Sequence, residues 1–207
     1  EQMEAEDLSS FLNFYLTNVC EIALKYGGTI DKFIGDSVMI FFGDPDTKGA
    51  KEDAIACCQM AMEMLTFLEN NQQHFQDMYN FPEKLEIRVG IHNGLCNVGN
   101  FGSEQRLDYT AIGRTVNVAA RLEQAAPKNS ILVSSAIRNL IKNKFETSSP
   151  IEVKAKGIDK PIPSYVLNRQ EPQNTKVIKE LDGLKLEYDP KKIDKNKLLE
   201  IISELEN

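Results

Sequence analysis

A tight turn between two short apolar segments, preceded by a long amphipathic stretch, restricts the fold of this chain more than any other feature. Gly35-Asp36 separates segments 29–33 and 37–42, an arrangement typical of a β-hairpin. Residues 4–26 place apolar side chains three and four positions apart, which predicts a helix that Gly27-Gly28 ends. The chain therefore combines helices and strands within its first 42 residues.

The remaining residues continue this mixture. Further helices are predicted at 51–70, 114–124 and 134–141, and strands at 85–91, 131–133, 151–156 and 164–167. Gly94 and Gly99 punctuate a second predicted hairpin. We interpret 1–168 as one domain, 169–176 as a polar linker, and 177–207 as a small appendage with a strand-like part (177–188) and a helix-like part (195–205).

Composition excludes several classes of protein. The 24 basic and 31 acidic side chains give a net charge of −7, which argues against a nucleic-acid-binding surface. The longest strongly apolar stretch, 38–42, is far shorter than the roughly 20 residues of a transmembrane helix. The four cysteines lack the spacing of a zinc site or a disulfide framework. We therefore expect a cytoplasmic domain without a nucleic-acid partner.

Three segments, 31–39, 88–94 and 107–123, are more specific than packing requires. In the first, Asp36 lies at the tip of the predicted hairpin, and Lys32 precedes it by four residues. In the third, Asn117 and Arg121 are four residues apart and so share one face of a predicted helix. An amide and a guanidinium on one face suit a sugar and a phosphate.

These segments resemble the catalytic domain of class III nucleotidyl cyclases, the adenylate and guanylate cyclases, over residues 1–168. The resemblance implies an α+β fold with a ferredoxin-like βαββαβ core, working as a head-to-tail homodimer. Each of the two nucleotide sites takes parts from both chains. In the implied reaction, the ribose 3′-oxygen of ATP attacks the α-phosphate to give 3′,5′-cyclic AMP and pyrophosphate, helped by two Mg²⁺ or Mn²⁺ ions.

The resemblance assigns Asp36 to metal binding, where a carboxylate is a suitable hard oxygen ligand. Lys32 matches the purine-reading lysine, whose donor suits N1 of adenine; guanine would need an acceptor there, so Lys32 favours ATP. Thr110 occupies the second base-reading position, as in the bicarbonate-responsive adenylate cyclases. Its hydroxyl can accept from the 6-amino group but can also donate, which leaves the strictness of base selection open.

The remaining implied roles concern the ribose and the phosphates. Asn117 would orient the ribose, and Arg121 would stabilise charge on the α-phosphate. Lys154 or Lys156 would reach the triphosphate; Lys154 is preferred, but alternation along a strand sends both side chains to the same face.

One departure from the family pattern lies at the start of the chain. The family's first strand, with its first metal-binding aspartate, has no counterpart after Glu1, so we expect this chain to lack both. Whether the chain alone is active stays open. We expect a sensor or membrane region upstream in the longer protein. Two alternatives to an adenylate cyclase are a non-catalytic cyclase-homology module for dimerisation or nucleotide sensing, and a guanylate cyclase.

Overall fold

The computed structural model describes residues 5–79, 84–153, 161–169, 177–181 and 184–188. The chain divides into two units, Glu1–Asn168 and Arg169–Asn207. Across the described residues, none of the helices has both the length and the apolar character of a membrane span.

The first unit alternates helices and strands in the order expected from the sequence. Its helices are α1 (Ala5–Lys25), α2 (Ala50–Asn70), α3 (Gln72–Tyr79), α4 (Arg114–Ala125) and α5 (Ser135–Ile141). Its strands are β1 (Thr29–Ile34), β2 (Ser37–Phe41), β3 (Arg88–Ile91), β4 (Asn97–Ser103), β5 (Arg106–Ile112), β6 (Ser130–Ser134), β7 (Ile151–Val153) and β8 (Ile162–Val166). The expected α+β class is confirmed.

The strands of the first unit form a four-stranded sheet and two hairpins. The sheet has the order β3-β6-β8-β7, with β3 and β6 parallel and the other two pairs antiparallel. Strands β1 and β2 form the first hairpin, and β4 and β5 form the second. Gly35 occupies the first turn with a φ of +64°, a conformation that glycine adopts without a steric penalty.

Apolar side chains of the helices and strands form three buried clusters. The predicted stripe of α1 is buried against α2 and α3 through Phe11, Tyr15, Val19 and Ile22. A second cluster lies between α2, α5 and strands β3 and β6, and a third lies beneath α4. The periodicity that predicted these helices therefore also identifies the faces that they bury.

Some predicted elements differ from the structure. The turn of the second hairpin falls at Glu104-Gln105, whereas Gly99 lies inside β4. The strand predicted at 85–91 begins only at Arg88, and α3 was not predicted as a separate helix.

In the second unit, the single strand-like stretch at 177–188 contains two antiparallel strands, β9 (Val177–Leu181) and β10 (Leu184–Tyr188). The sequence Asp182-Gly183 is a strong hairpin signal that the sequence interpretation overlooked. The helix predicted at 195–205 lies outside the described residues.

A close backbone contact fixes α4 on the sheet. A Cβ atom on Gly90 of β3 would lie 2.2 Å from the backbone nitrogen of Glu123 and 2.4 Å from the carbonyl oxygen of Ala119. Real Cβ atoms essentially never approach backbone so closely, so only glycine lets the helix lie directly on the strand. The position of α4, which carries two predicted site residues, therefore depends on Gly90.

We predict that Gly90→Ala lowers the free energy of unfolding by about 1–3 kcal/mol or more, because α4 must move away from β3. Gly99→Ala is the matched control: it also lies in a strand, and its Cβ would meet nothing nearer than a Phe101 ring atom at 3.8 Å. The free energy of unfolding of both variants is measured by urea denaturation. Equal losses in the two variants would contradict the close-contact explanation.

Candidate functional site

An irregularity in β1 places two neighbouring side chains at one point. Ile30 pairs with Ile40 and Lys32 with Met39, so Asp31 is an extra residue in β1, as in a β-bulge. Consecutive side chains of a regular strand point to opposite faces. Here both Asp31 and Lys32 contact Thr110 on β5. The bulge therefore joins the first hairpin to the second.

The contact is a chain of hydrogen bonds. Lys32 Nζ donates to Thr110 Oγ1 at 2.8 Å, and the Thr110 hydroxyl donates to the Asp31 carboxylate, whose two oxygens both lie 2.8 Å away. The backbone N–H of Ala111 donates to Asp31 Oδ2 at 2.8 Å. Lys32 Nζ also lies 3.2 Å from Asp31 Oδ1. The structure thus brings together the two predicted base-reading residues, Lys32 and Thr110.

Burial differs sharply among these three side chains. The Asp31 side chain is 0% exposed and that of Lys32 is 42% exposed, while residue Thr110 is 5% exposed. A buried carboxylate is costly unless donors compensate it, and Asp31 has three. The Asp31 carboxylate is thus held inside the protein by its donors, an anchoring role, and the Lys32 side chain is the most exposed of the three.

Sequence reasoning gave Asp31 no role, although it lies within the first specific segment. A regular strand would have pointed its side chain away from that of Lys32. A second contact that the sequence did not suggest lies nearby. The Tyr109 hydroxyl donates to the Asp44 carboxylate, and Thr29 Oγ1 donates to the Asp44 carbonyl at 2.6 Å. The hydrogen bond to Asp44 raises the pKa of Tyr109.

Asp36, the predicted metal ligand, is exposed in the turn between β1 and β2. Burial, and secondarily the charge of Asp36, raises the pKa of Tyr15 on α1 to about 12. The described part of the chain contains no group of three or more metal-ligating side chains. Mg²⁺ commonly takes one or two carboxylates and completes its shell with water and substrate phosphates. Asp36 fits one ligand of such a set, and the described residues do not complete it.

Two further predicted site residues lie on α4. Asn117 and Arg121 are both exposed on α4, and Arg121 Nη1 donates to Gln124 at 2.8 Å. Lys154 and Lys156 lie outside the described residues.

His92 directly follows β3. Its Nδ1 lies 2.8 Å from the Ser134 hydroxyl at the end of β6. Burial, and secondarily Arg114, lowers the pKa of His92.

Comparison with known proteins identifies the family. Residues 1–169 match the family model of the adenylate and guanylate cyclase catalytic domain. The chain belongs to this family. The resemblance proposed from the three specific segments is therefore confirmed.

Solved cyclase structures share the fold. The adenylyl cyclase CyaB from P. aeruginosa is 44% identical with a TM-score of 0.79, and the match covers 83% of this chain and 87% of that one. The guanylyl cyclase Cya2 is 28% identical with a TM-score of 0.76, covering 84% and 86% of the two chains.

Curated relatives include an adenylate cyclase from Anabaena cylindrica, 34% identical over 80% of this chain. Adenylate cyclase 1 from Rhizobium meliloti is 35% identical over 76% of this chain. The chain spans 33% of the length of the first relative and 23% of the second.

We predict that Lys32→Met lowers the free energy of unfolding by about 1–3 kcal/mol, because the buried Asp31 carboxylate loses its cation. Lys128→Met is the matched control. Its ammonium pairs with Glu86 at 2.6 Å, but its side chain is 70% exposed, so its loss should cost less than about 1 kcal/mol. Urea unfolding compares the two. Equal costs would contradict the anchoring role of Asp31.

Proposed function

We propose that the chain is the catalytic domain of an adenylate cyclase, converting ATP to 3′,5′-cyclic AMP and pyrophosphate. The observation that carries the proposal is the contact between Lys32 and Thr110, in which a lysine donor with a 42% exposed side chain lies 2.8 Å from the hydroxyl oxygen of a nearly buried threonine. The names of the CyaB structure and of the Anabaena and Rhizobium relatives support the same activity.

The pair suits adenine better than guanine. Adenine offers N1 as an acceptor and the neighbouring 6-amino group as a donor, which match a lysine donor and a hydroxyl acceptor. Guanine reverses both atoms, so Lys32 would face the N1–H donor. A guanylate cyclase is therefore the weaker alternative, although the Cya2 structure shares the fold.

In this proposal, two residues of α4 contact the ribose and the α-phosphate, the reacting parts of ATP. Asn117 orients the ribose so that its 3′-oxygen faces the α-phosphate. Arg121 places a permanent cation where negative charge increases in the transition state, and such preorganised charge is often the largest catalytic contribution. Lys154, or else Lys156, neutralises the triphosphate.

Asp36 is the carboxylate that we assign to the metal ions. Two Mg²⁺ or Mn²⁺ ions, when bound, favour deprotonation of the attacking hydroxyl and stabilise the leaving phosphates. The chain's own contribution is to hold an exposed carboxylate at a tight turn, because Gly35 adopts the positive φ that the turn requires and the pairing of Ile34 with Ser37 closes it.

We further propose a head-to-tail homodimer with each nucleotide site at the interface. Both hairpins expose large apolar side chains: Phe33 at 50%, Ile34 at 61%, Leu107 at 61% and Ile112 at 40%. A second copy of the chain would cover such side chains.

We also propose that 169–176 is a linker and 177–207 an appendage, and we expect a sensor or membrane region elsewhere in the longer protein.

The test is product formation by the longest natural form of the protein that contains the chain. With Mn²⁺ and either nucleotide, we predict cyclic AMP from ATP and much less cyclic GMP from GTP. Absence of both products would contradict the enzymatic proposal and favour a non-catalytic dimerisation module. A preference for GTP would contradict the assignment of Lys32.

Arg121→Ala should lower kcat about 10²–10³-fold or more, because the transition state loses its cation. Arg138→Ala is the control. It removes an exposed arginine on α5, where the guanidinium lies 4.6 Å from the centre of the Tyr165 ring, and it should leave turnover unchanged. Light scattering checks that both variants keep the oligomeric state of the wild type. Loss of the dimer in Arg121→Ala alone would indicate a structural role instead.

A further inference from the structure

We propose that Asp31 is a positioning residue that fixes the Thr110 hydroxyl as a hydrogen-bond acceptor toward the nucleotide base. The inference rests on the proposed function, because it takes adenine as the ligand of Lys32 and Thr110. It concerns the direction of one proton, which decides whether Thr110 offers an acceptor or a donor.

The donors around Asp31 determine that direction. The Ala111 backbone N–H can only donate, and it lies 2.8 Å from Asp31 Oδ2. The Lys32 ammonium can only donate, and it contacts both Asp31 Oδ1 and Thr110 Oγ1. Because Lys32 donates to the Thr110 oxygen, the single hydroxyl proton must point elsewhere. The carboxylate at 2.8 Å is the nearest acceptor, whereas the neutral Ala111 carbonyl is 3.5 Å away.

This leaves Thr110 with acceptor capacity only. A hydroxyl has one proton and two lone pairs, and Lys32 uses one of the lone pairs. The other lone pair can accept from the 6-amino group of adenine. A purine with a 6-oxo group, such as guanine, would place an acceptor oxygen against this lone pair, and the two acceptors would repel each other. Turning the hydroxyl to donate to that base would remove a donor from a carboxylate that is 0% exposed, which is strongly unfavourable.

The bulge in β1 makes this arrangement possible. It lets Asp31 hold Thr110 from inside the protein while its neighbour Lys32 stays accessible to the base. The ambiguity of a threonine at a base-reading position is thereby removed by a residue that does not itself contact the base.

The test compares ATP with purine riboside 5′-triphosphate, which keeps N1 but has hydrogen in place of the 6-amino group. Binding is measured by titration calorimetry with the α,β-methylene analogue of each nucleotide, so it does not depend on turnover. The wild type should favour the ATP analogue about tenfold, the contribution of one good hydrogen bond.

Asp31→Asn should reduce this preference to about one. The Ala111 N–H holds the amide oxygen at the Oδ2 position, so the amide NH₂ occupies the Oδ1 position and donates to Thr110 Oγ1. Lys32 and the amide then use both lone pairs of the hydroxyl, and none is left to accept from the 6-amino group. Thr110→Val should also remove the preference, and adding Asp31→Asn to it should change nothing further. Asp108→Asn, an exposed aspartate on β5 paired with Arg106, is the matched control and should keep the wild-type ratio.

The outcomes separate this inference from the proposed function. A folded Asp31→Asn protein that keeps the tenfold ratio overturns the role of Asp31 and leaves the cyclase proposal intact. A wild type that discriminates the two analogues but forms no cyclic AMP overturns the cyclase proposal and supports base reading by this cluster. A wild type that does not discriminate overturns the inference.

If Asp31→Asn does not fold, NMR of the wild type decides the point. The Thr110 hydroxyl proton should exchange slowly and show coupling to the Asp31 carboxyl carbon. A rapidly exchanging hydroxyl proton would overturn the inference.

Discussion

The carboxylate of Asp31 has no access to solvent, and the need to satisfy it organises the surrounding structure. Its donors come from β1 and β5, so one buried charge joins two hairpins that share no strand pairing. The same bonds place Lys32 beside Thr110. The contacts that stabilise this buried charge are therefore the same contacts that we propose for recognition of the base.

A second constraint determines where Asn117 and Arg121 lie, the residues to which we assign contacts with the ribose and the α-phosphate. Helix α4 rests on β3 at the backbone of Gly90, so its height above the sheet is fixed by the absence of a side chain. Asn117 and Arg121, four residues apart, then share one exposed face of this helix. Arg121 donates to the neutral side chain of Gln124, and no carboxylate among the described residues forms an ion pair with it, which leaves its charge available to a ligand.

Periodicity and turn residues predicted most of the fold of the first unit, because the stripe of α1 and the Gly35-Asp36 turn are local patterns. The Lys32–Thr110 pair was predicted through family resemblance, and the roles of Asp36, Asn117 and Arg121 remain proposals. Asp31 could not be predicted, because its role depends on a one-residue bulge that no local pattern indicates. The backbone contact at Gly90 is likewise non-local, since β3 and α4 are separated along the chain by the second hairpin.

We propose that adenine is recognised by the Thr110 hydroxyl, whose proton the buried Asp31 carboxylate holds. A crystal structure with α,β-methylene ATP is the decisive measurement. We expect the 6-amino nitrogen within about 3 Å of Thr110 Oγ1, N1 at a similar distance from Lys32 Nζ, and the hydrogen bond from Thr110 to Asp31 intact. An adenine bound away from β1 and β5, or a Thr110 side chain rotated so that Oγ1 leaves Asp31, would contradict this proposal.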